Sequence, residues 1–196
     1  MTMPLDAQLE VPDDTLLVLF ANGDRAAARD LTLRLTPRAM ALAHRMLGDR
    51  AEAEDVTQEA MLKLWKMAPD WEPGRGQVST WLYRVTSNLC TDRLRSRKGR
   101  GPVPLDAVAE PPDDGPGREE ALHLQERAAA LEDALLTLPE RQRQAVILRH
   151  LEGLANPEIA EVMDISVEAV ESLTARGKRA LAAVLARQKT MLGLEE

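Results

Sequence analysis

The sequence predicts an all-α protein of two small helical domains joined by a flexible linker. Apolar residues recur at three- and four-residue spacing on both sides of a central gap, Ala, Leu, Arg and Glu dominate, and no alternating β-branched run interrupts them. The gap itself, Gly101 to Glu120, carries five prolines, three glycines and six acids against Arg118. Such a composition buries too little apolar surface to offset its ordering entropy. The expected division is therefore residues 1–100, an acidic linker at 101–120, and a second domain at 121–196. Each half lies near the lower size at which a helical core sustains itself.

Punctuation sets the expected elements in order. Asn22-Gly23-Asp24 separates two helical stretches, Thr36-Pro37 offers an N-cap followed by proline in a first turn, and Gly48 closes the segment before it. Asp49 caps the next helix, about Arg50 to Met67, where Glu52 three residues on resembles a capping box. On that helix Val56, Ala60, Met61 and Leu64 form the buried stripe, which leaves Asp55, Gln58, Glu59 and Leu62 on other faces. A solvated face is the ordinary reading of such a charge run; a docking surface for a helical partner is the other.

After the Pro- and Gly-containing loop Ala68 to Gln77, Ser79 or Thr80 caps a helix whose inward residues are Val78, Trp81, Leu82, Val85 and Leu89. Arg84, Asn88, Thr91 and Arg95 then align as a polar stripe. Between Arg84 and Arg100 six basic residues (with Arg93, Arg97 and Lys98) face only Asp92, whereas residues 1–60 hold eleven acids against six arginines. A cationic helix end suits phosphates, an amide such as Asn88 can read a base edge, and Tyr83 is a candidate for base stacking; a solvated, dipole-stabilised helix end is the alternative. Trp81 reads as a core aromatic and Cys90 as a small buried hydrophobe.

In the second half, Pro139 opens a helix bearing Ala145, Val146, Leu148 and Leu151 that closes at Gly153. Asn156-Pro157 caps a short helix, Glu158 to Met163, and Asp164-Ile165-Ser166 turns the chain into a third. Ile159, Ala160, Val162, Ile165 and Val170 form the interior, and Asp164 sits where a left-handed backbone is often needed. This is helix-turn-helix spacing, with an αα-hairpin used only for packing as the alternative. In the former, Val167, Glu168, Glu171, Ser172 and Arg176 enter a major groove while Lys178 and Arg179 neutralise phosphate.

Several function classes drop out. The apolar runs are too short to span a membrane, and the first ten residues lack a basic segment followed by an apolar one, so a cytoplasmic protein with no membrane insertion of its own is expected. One cysteine cannot form an intramolecular disulfide, and His44, His123 and His150 lie far apart, so neither a metal site nor a cofactor is expected. The paired acids Glu54 and Asp55 have no nucleophile, histidine or phosphate-cradling loop beside them, so no catalytic site is expected.

Three segments taken together resemble the extracytoplasmic-function (ECF) group of bacterial RNA polymerase sigma factors. AEDVTQEAMLKLW, Ala53 to Trp65, is similar to the family's region 2.2, and STWLYRVTSNLCTDRLR, Ser79 to Arg95, to regions 2.3 and 2.4. The stretch from Leu138 to Ser172, LPERQRQAVILRHLEGLANPEIAEVMDISVEAVES, is similar to region 4. The resemblance implies that Asp55, Gln58, Glu59 and Leu62 dock on the clamp helices of core RNA polymerase. It also implies that the loop 68–77 with Asn88 and neighbours captures the −10 element of promoter DNA, that the helix from Val167 reads the −35 element, and that region 4 rests on the polymerase flap. It further implies an inhibitory anti-sigma partner, and an extended path of the acidic linker through a basic channel. Where family members commonly carry Lys or Arg, this chain has Glu171, so its early recognition helix is poor in cations. A sigma-like decoy that sequesters an anti-sigma factor without binding DNA is the competing reading; it has no need of cations concentrated beside Asn88.

Overall fold

The computed structural model describes residues 11–74, 76–98 and 118–191, and among them there are helices and turns but no strand. Four helices build the first half: α1 (Asp13–Ala21), α2 (Arg25–Leu47), α3 (Arg50–Met67) and α4 (Val78–Lys98), with a single 3-10 turn at Ala68–Asp70. Four more build the second: α5 (Arg118–Leu136), α6 (Glu140–Val146), α7 (Asn156–Met163) and α8 (Val167–Met191), with α6 running on as a π turn at Ile147–Leu151. Most of the expected linker lies outside the described residues, but its last three positions, Arg118 to Glu120, already belong to α5. Lys98's side chain and Arg100 also lie outside what is described.

The local signals act largely as their chemistry dictates. Asp24 accepts from the backbone N–H groups of Ala26 and Ala27 at the start of α2, and Gly48 (φ 66°) ends that helix in the left-handed conformation. Four expectations need correcting. Pro37 lies inside α2 and does not start a helix, because the buried stripe Leu31, Leu35, Ala39, Leu42 and Met46 runs unbroken across it. That burial outweighs one lost backbone bond, and the proline's side of the helix, marked by the 65% exposed Leu33, faces water. Asp49 does cap α3 through the N–H of Glu52, but the Glu52 carboxylate turns to Arg97 and does not complete a box. Asn156 is not the cap of α7: Ala155 holds that position, with its N–H donating to the Glu158 carboxylate at 2.7 Å. Helix α4 also begins at Val78, which puts Ser79 and Thr80 within its first turn.

Two apolar clusters hold the molecule. One belongs to the first half, where Leu16 and Leu17 of α1, Leu31 and Leu35 of α2, Leu64 of α3 and Leu82 of α4 interlock, with Trp65 and Trp81 partly buried against them. The other is shared: Leu42, Met46, Val56, Tyr83 and Cys90 from the first half join Leu135, Ile147, Leu148, Ile159, Val162 and Val170 from the second. Helix α4 packs on α7, and α2 on α5 and α6. The two halves are thus packed on one another.

Candidate nucleic-acid and polymerase interface

Helix α4 divides into three faces because its residues alternate between two partners and water. Val78, Leu82 and Thr86 share one buried side, while Thr80, Tyr83, Ser87 and Cys90 continue the burial around the helix. What remains outside is the polar stripe: Arg84, Asn88 and Arg95 are exposed and Thr91 is half-buried beside them. Arg95 stands 3.8 Å from Asp92 and Arg93 3.8 Å from Asp55, long pairings between exposed groups that leave the guanidinium groups available to other anions.

Arg97 behaves differently. Its guanidinium donates to the Leu47 carbonyl at 3.0 Å and to Glu52 at 3.0 Å, and lies 3.4 Å from Asp49, so it ties the end of α2 to the start of α3. One cation of the basic run is therefore structural.

On α3 the residues Asp55, Gln58, Glu59 and Leu62 fall at i, i+3, i+4 and i+7 and share one outward face. Leu62, at the C-terminal end of this face, is 51% exposed, and beside it Glu59 reaches Lys63 at 3.3 Å. An exposed leucine at the end of a face that carries Asp55 and Glu59 suits a partner helix with an apolar groove and a cationic rim. Arg93, which reaches Asp55, lies on the side of α4 opposite Arg84 and Asn88, so the α3 face and the polar stripe flank α4 on different sides.

The helix-turn-helix expected from the sequence is present in α7, its turn and α8. Asp164 takes the left-handed conformation (φ 53°, ψ 55°), the N–H of Ile165 closes on the Ala160 carbonyl, and the Ser166 hydroxyl accepts from the N–H of Ala169. Ile159, Val162 and Val170 are buried between the helices. Gly177 allows α8 to approach α6: a Cβ there would lie 2.6 Å from Val146 Cγ2 and 3.1 Å from the Gln142 carbonyl. The outward side of α8 presents Glu168, Glu171, Ser172, Arg176, Lys178 and Arg179, with Val167 partly covered. Bonds from its own backbone N–H and from the Ser166 hydroxyl hold the Glu168 carboxyl below the usual range. The Asn156 amide lies 3.5 Å from Glu171, and Arg176 folds back onto the carbonyl and hydroxyl of Ser172.

Tyr83 is the one proposed DNA contact that the structure withdraws from solvent. It is 5% exposed, and its hydroxyl donates to Glu152 of the second half at 2.7 Å. Burial, and next the hydrogen bond to Glu152, push its pKa up. Arg45 donates to the other oxygen of Glu152 at 2.9 Å, so the carboxylate joins α2, α4 and the end of the π turn. Arg143, 8% exposed, reaches from α6 to the carbonyls of Met46 in α2, Leu136 in α5 and Leu138. A cation suits these converging helix C-termini. A polar cleft of about 350 Å³, bordered by Arg38, Gln77, Ser79, Tyr83, Glu152 and Glu158, lies along the same seam. Arg45, Glu152 and Arg143 escaped sequence reasoning. The signal available was Arg143, an arginine leading into the apolar run AVIL. Among the described residues no helix is long and apolar enough to cross a membrane, and no cluster of His, Cys, Asp or Glu fits a metal ion.

Comparison with known proteins identifies the family. Residues 31–100 match the family model for Sigma-70 region 2, and residues 128–181 that for Sigma-70, region 4. The chain is 33% identical over 180 residues to the ECF RNA polymerase sigma factor SigE of Mycolicibacterium smegmatis, covering 88% of this chain and 68% of that protein. Among solved structures it resembles CnrH in complex with the cytosolic domain of CnrY, with a TM-score of 0.64 and 27% identity over 89% of this chain and 97% of that one. Its fold is also that of the sigma factor RpoE from Bartonella quintana, solved with the anti-sigma factor NepR (TM-score 0.67, 23% identity, 83% of this chain and 98% of that one). The all-α architecture, the two matched regions in order and the helix-turn-helix geometry meet in one conclusion: the chain belongs to the ECF sigma factors, which are transcription initiation factors and not enzymes.

Proposed function

We propose that this chain binds core RNA polymerase through the α3 face of Asp55, Gln58, Glu59 and Leu62, and directs initiation at promoters whose two elements its two halves read separately. Arg84, Asn88, Thr91, Arg93 and Arg95 of α4 engage the −10 element, whereas Tyr83 is buried with its hydroxyl on Glu152 and is left out of this set. Val167, Glu168, Glu171, Ser172 and Arg176 face the −35 base edges, while Lys178 and Arg179 neutralise phosphates. The observation that carries this reading is the exposed stripe of α4, an amide flanked by cations, on a helix packed against α3, which carries an acidic outward face with an exposed leucine. Melted strands need a polar surface and positive charge, whereas a duplex needs only a groove-sized helix, and the two halves supply one of each.

A cytoplasmic location, where core RNA polymerase acts, is part of the same proposal; among the described residues no helix is long and apolar enough to cross a membrane. An anti-sigma protein covering the polymerase-binding surfaces would control it, in keeping with the RpoE–NepR pair. The division into a polymerase-docking and −10 domain at 1–100, a linker at 101–120 and a −35 domain at 121–196 is part of the same proposal.

The test is in vitro transcription with purified bacterial core polymerase and a library of genomic promoter fragments. Wild-type protein yields discrete transcripts, and an Arg84→Glu, Arg95→Glu double variant loses them while still binding core enzyme. Absence of transcripts with the wild type, together with capture of an anti-sigma protein, would favour the decoy.

A further inference from the structure

A helix that reads a major groove needs side chains that match the donors and acceptors of base edges, and α8 offers few of them. It buries Val170 and Gly177 against the rest of the second half, so Glu168, Glu171, Ser172 and Ala175, at i, i+3, i+4 and i+7, share the side turned to solvent. Two of the polar groups there are already engaged. Glu168 accepts from its own backbone N–H and from the Ser166 hydroxyl, which holds it at the helix start. The Ser172 hydroxyl accepts from Arg176 Nη2 at 2.9 Å, while Nε of the same guanidinium donates to the Ser172 carbonyl at 3.2 Å, so this arginine lies along the helix.

Glu171 is held differently. It is exposed in the second turn, and its one hydrogen bond among the described residues comes from the Asn156 amide to Oε1, at a long 3.5 Å. Asn156 is the first residue of α7, the helix that crosses the DNA backbone in a helix-turn-helix. The bond therefore spans the motif, aims the carboxylate from the side of α7, and leaves Oε2 to accept from another donor.

A carboxylate only accepts, and this restricts the base it can face. In the major groove guanine presents two acceptors, and thymine an acceptor beside a methyl group; neither offers a donor. Adenine places the N7 acceptor beside its N6 donor, whereas cytosine presents the N4 donor with no acceptor of its own. Ala175, one turn on along the same face, adds no bulk that would hold the helix off the groove floor.

We propose that Glu171 is a specificity-determining residue that accepts from the N4 amino group of a cytosine in the −35 element, and that Asn156 is its positioning residue. The inference rests on the promoter-reading role given above and adds the base that one position of the element must carry. Charge alone opposes binding here, because a carboxylate in the groove repels the flanking phosphates. Glu171 thus weakens the helix on every site and least where a cytosine meets it, which makes it a device of discrimination and not of affinity.

The test uses the full-length protein with core polymerase and a promoter that it transcribes, with the −35 region randomised and the transcripts identified by sequenced barcodes. Wild-type protein enriches cytosine at one position, favouring it about tenfold or more over guanine, the ordinary cost of one mismatched pair. Glu171→Gln moves the preference at that position to adenine, because an amide pairs with N6 and N7 together, and Glu171→Lys moves it to guanine, while the other positions keep theirs. Asn156→Ala flattens the cytosine preference at the same position without creating a new one. Circular dichroism confirms that each variant is folded. An unchanged base at that position in Glu171→Gln overturns the assignment, and so does a change in yield equal for all sequences, which marks an effect on phosphates alone. An Asn156→Ala profile identical to that of the wild type overturns the positioning role. Failure of the underlying role is distinct: the wild type then yields no transcripts, or shows no preference anywhere in the −35 region.

Discussion

Replacing Gly177 by Ala sets two opposed effects against each other at one atom. In an exposed helix interior the exchange stabilises by about 1 kcal/mol, because glycine has the larger backbone entropy to lose. At this position the new methyl would lie 2.6 Å from Val146 Cγ2 and 3.1 Å from the backbone oxygen of Gln142. Val146 is 2% exposed and lies among the shared core residues, so its methyl has little room to retreat, and the carbonyl belongs to α6 itself. Overpacking of a core by one methyl costs roughly 1–3 kcal/mol. At 2.6 Å from a buried methyl the cost falls in the upper part of that range, about 2–3 kcal/mol, so against a propensity gain of about 1 kcal/mol a net loss of about 1–2 kcal/mol is expected. Urea unfolding followed by circular dichroism reads this directly: with a slope of about 1–3 kcal/mol per molar, the midpoint falls by roughly 0.3–2 M. A midpoint equal to or above that of the wild type would refute the close approach of α8 to α6.

Other outcomes follow from the same geometry. Asn88→Ala lowers transcript yield while leaving affinity for core polymerase unchanged, as side-by-side transcription and pull-down assays would show; equal losses would mean that Asn88 is structural. Tyr83, the only tyrosine, has a folded pKa raised above its ordinary value of 10, first by burial and then by Glu152. The stability it contributes is fully present below pH 10 and is lost as the pH rises towards the folded value, so the melting temperature of the wild type falls at alkaline pH more steeply than that of Tyr83→Phe. Burial pushes the Cys90 thiol up to about 12, so at neutral pH it is an unreactive thiol. Cys90→Ser accordingly leaves transcription unchanged, and iodoacetamide modifies the native wild type far more slowly than the unfolded chain; loss of activity in Cys90→Ser would refute this.

The parts of the molecule governed by neighbours along the chain are legible in the amino-acid sequence alone. The buried stripe of α3, the outward set Arg84, Asn88 and Arg95, the turn at Asp164 and the helix-turn-helix interior all follow from 3.6-residue periodicity and cap chemistry. Pro37 misleads because a local rule for helix starts competes with an apolar stripe that extends over the twenty-three residues of α2, and the stripe is the larger energy. Tyr83 misleads for a related reason. Its position off the main apolar face is correct, but a second buried face exists only because the second half packs there, and no spacing within α4 encodes a partner some seventy residues away. Glu152, Arg45 and Arg143 belong to that same long-range contact. Arg97 reads as one more cation in a basic run, and only the fold brings the end of α2 and the start of α3 within its reach.

Promoter melting is the step that separates an active sigma factor from a chain with only the fold of one, and permanganate footprinting of a promoter selected from the genomic library, with core polymerase and this chain, detects it. Thymines near −10 become reactive only when the chain is present, and Asn88→Ala suppresses this reactivity while the complex still forms on the DNA. Reactivity with core polymerase alone, or none at all with the wild-type chain bound, would contradict the assignment of α4 to the −10 element.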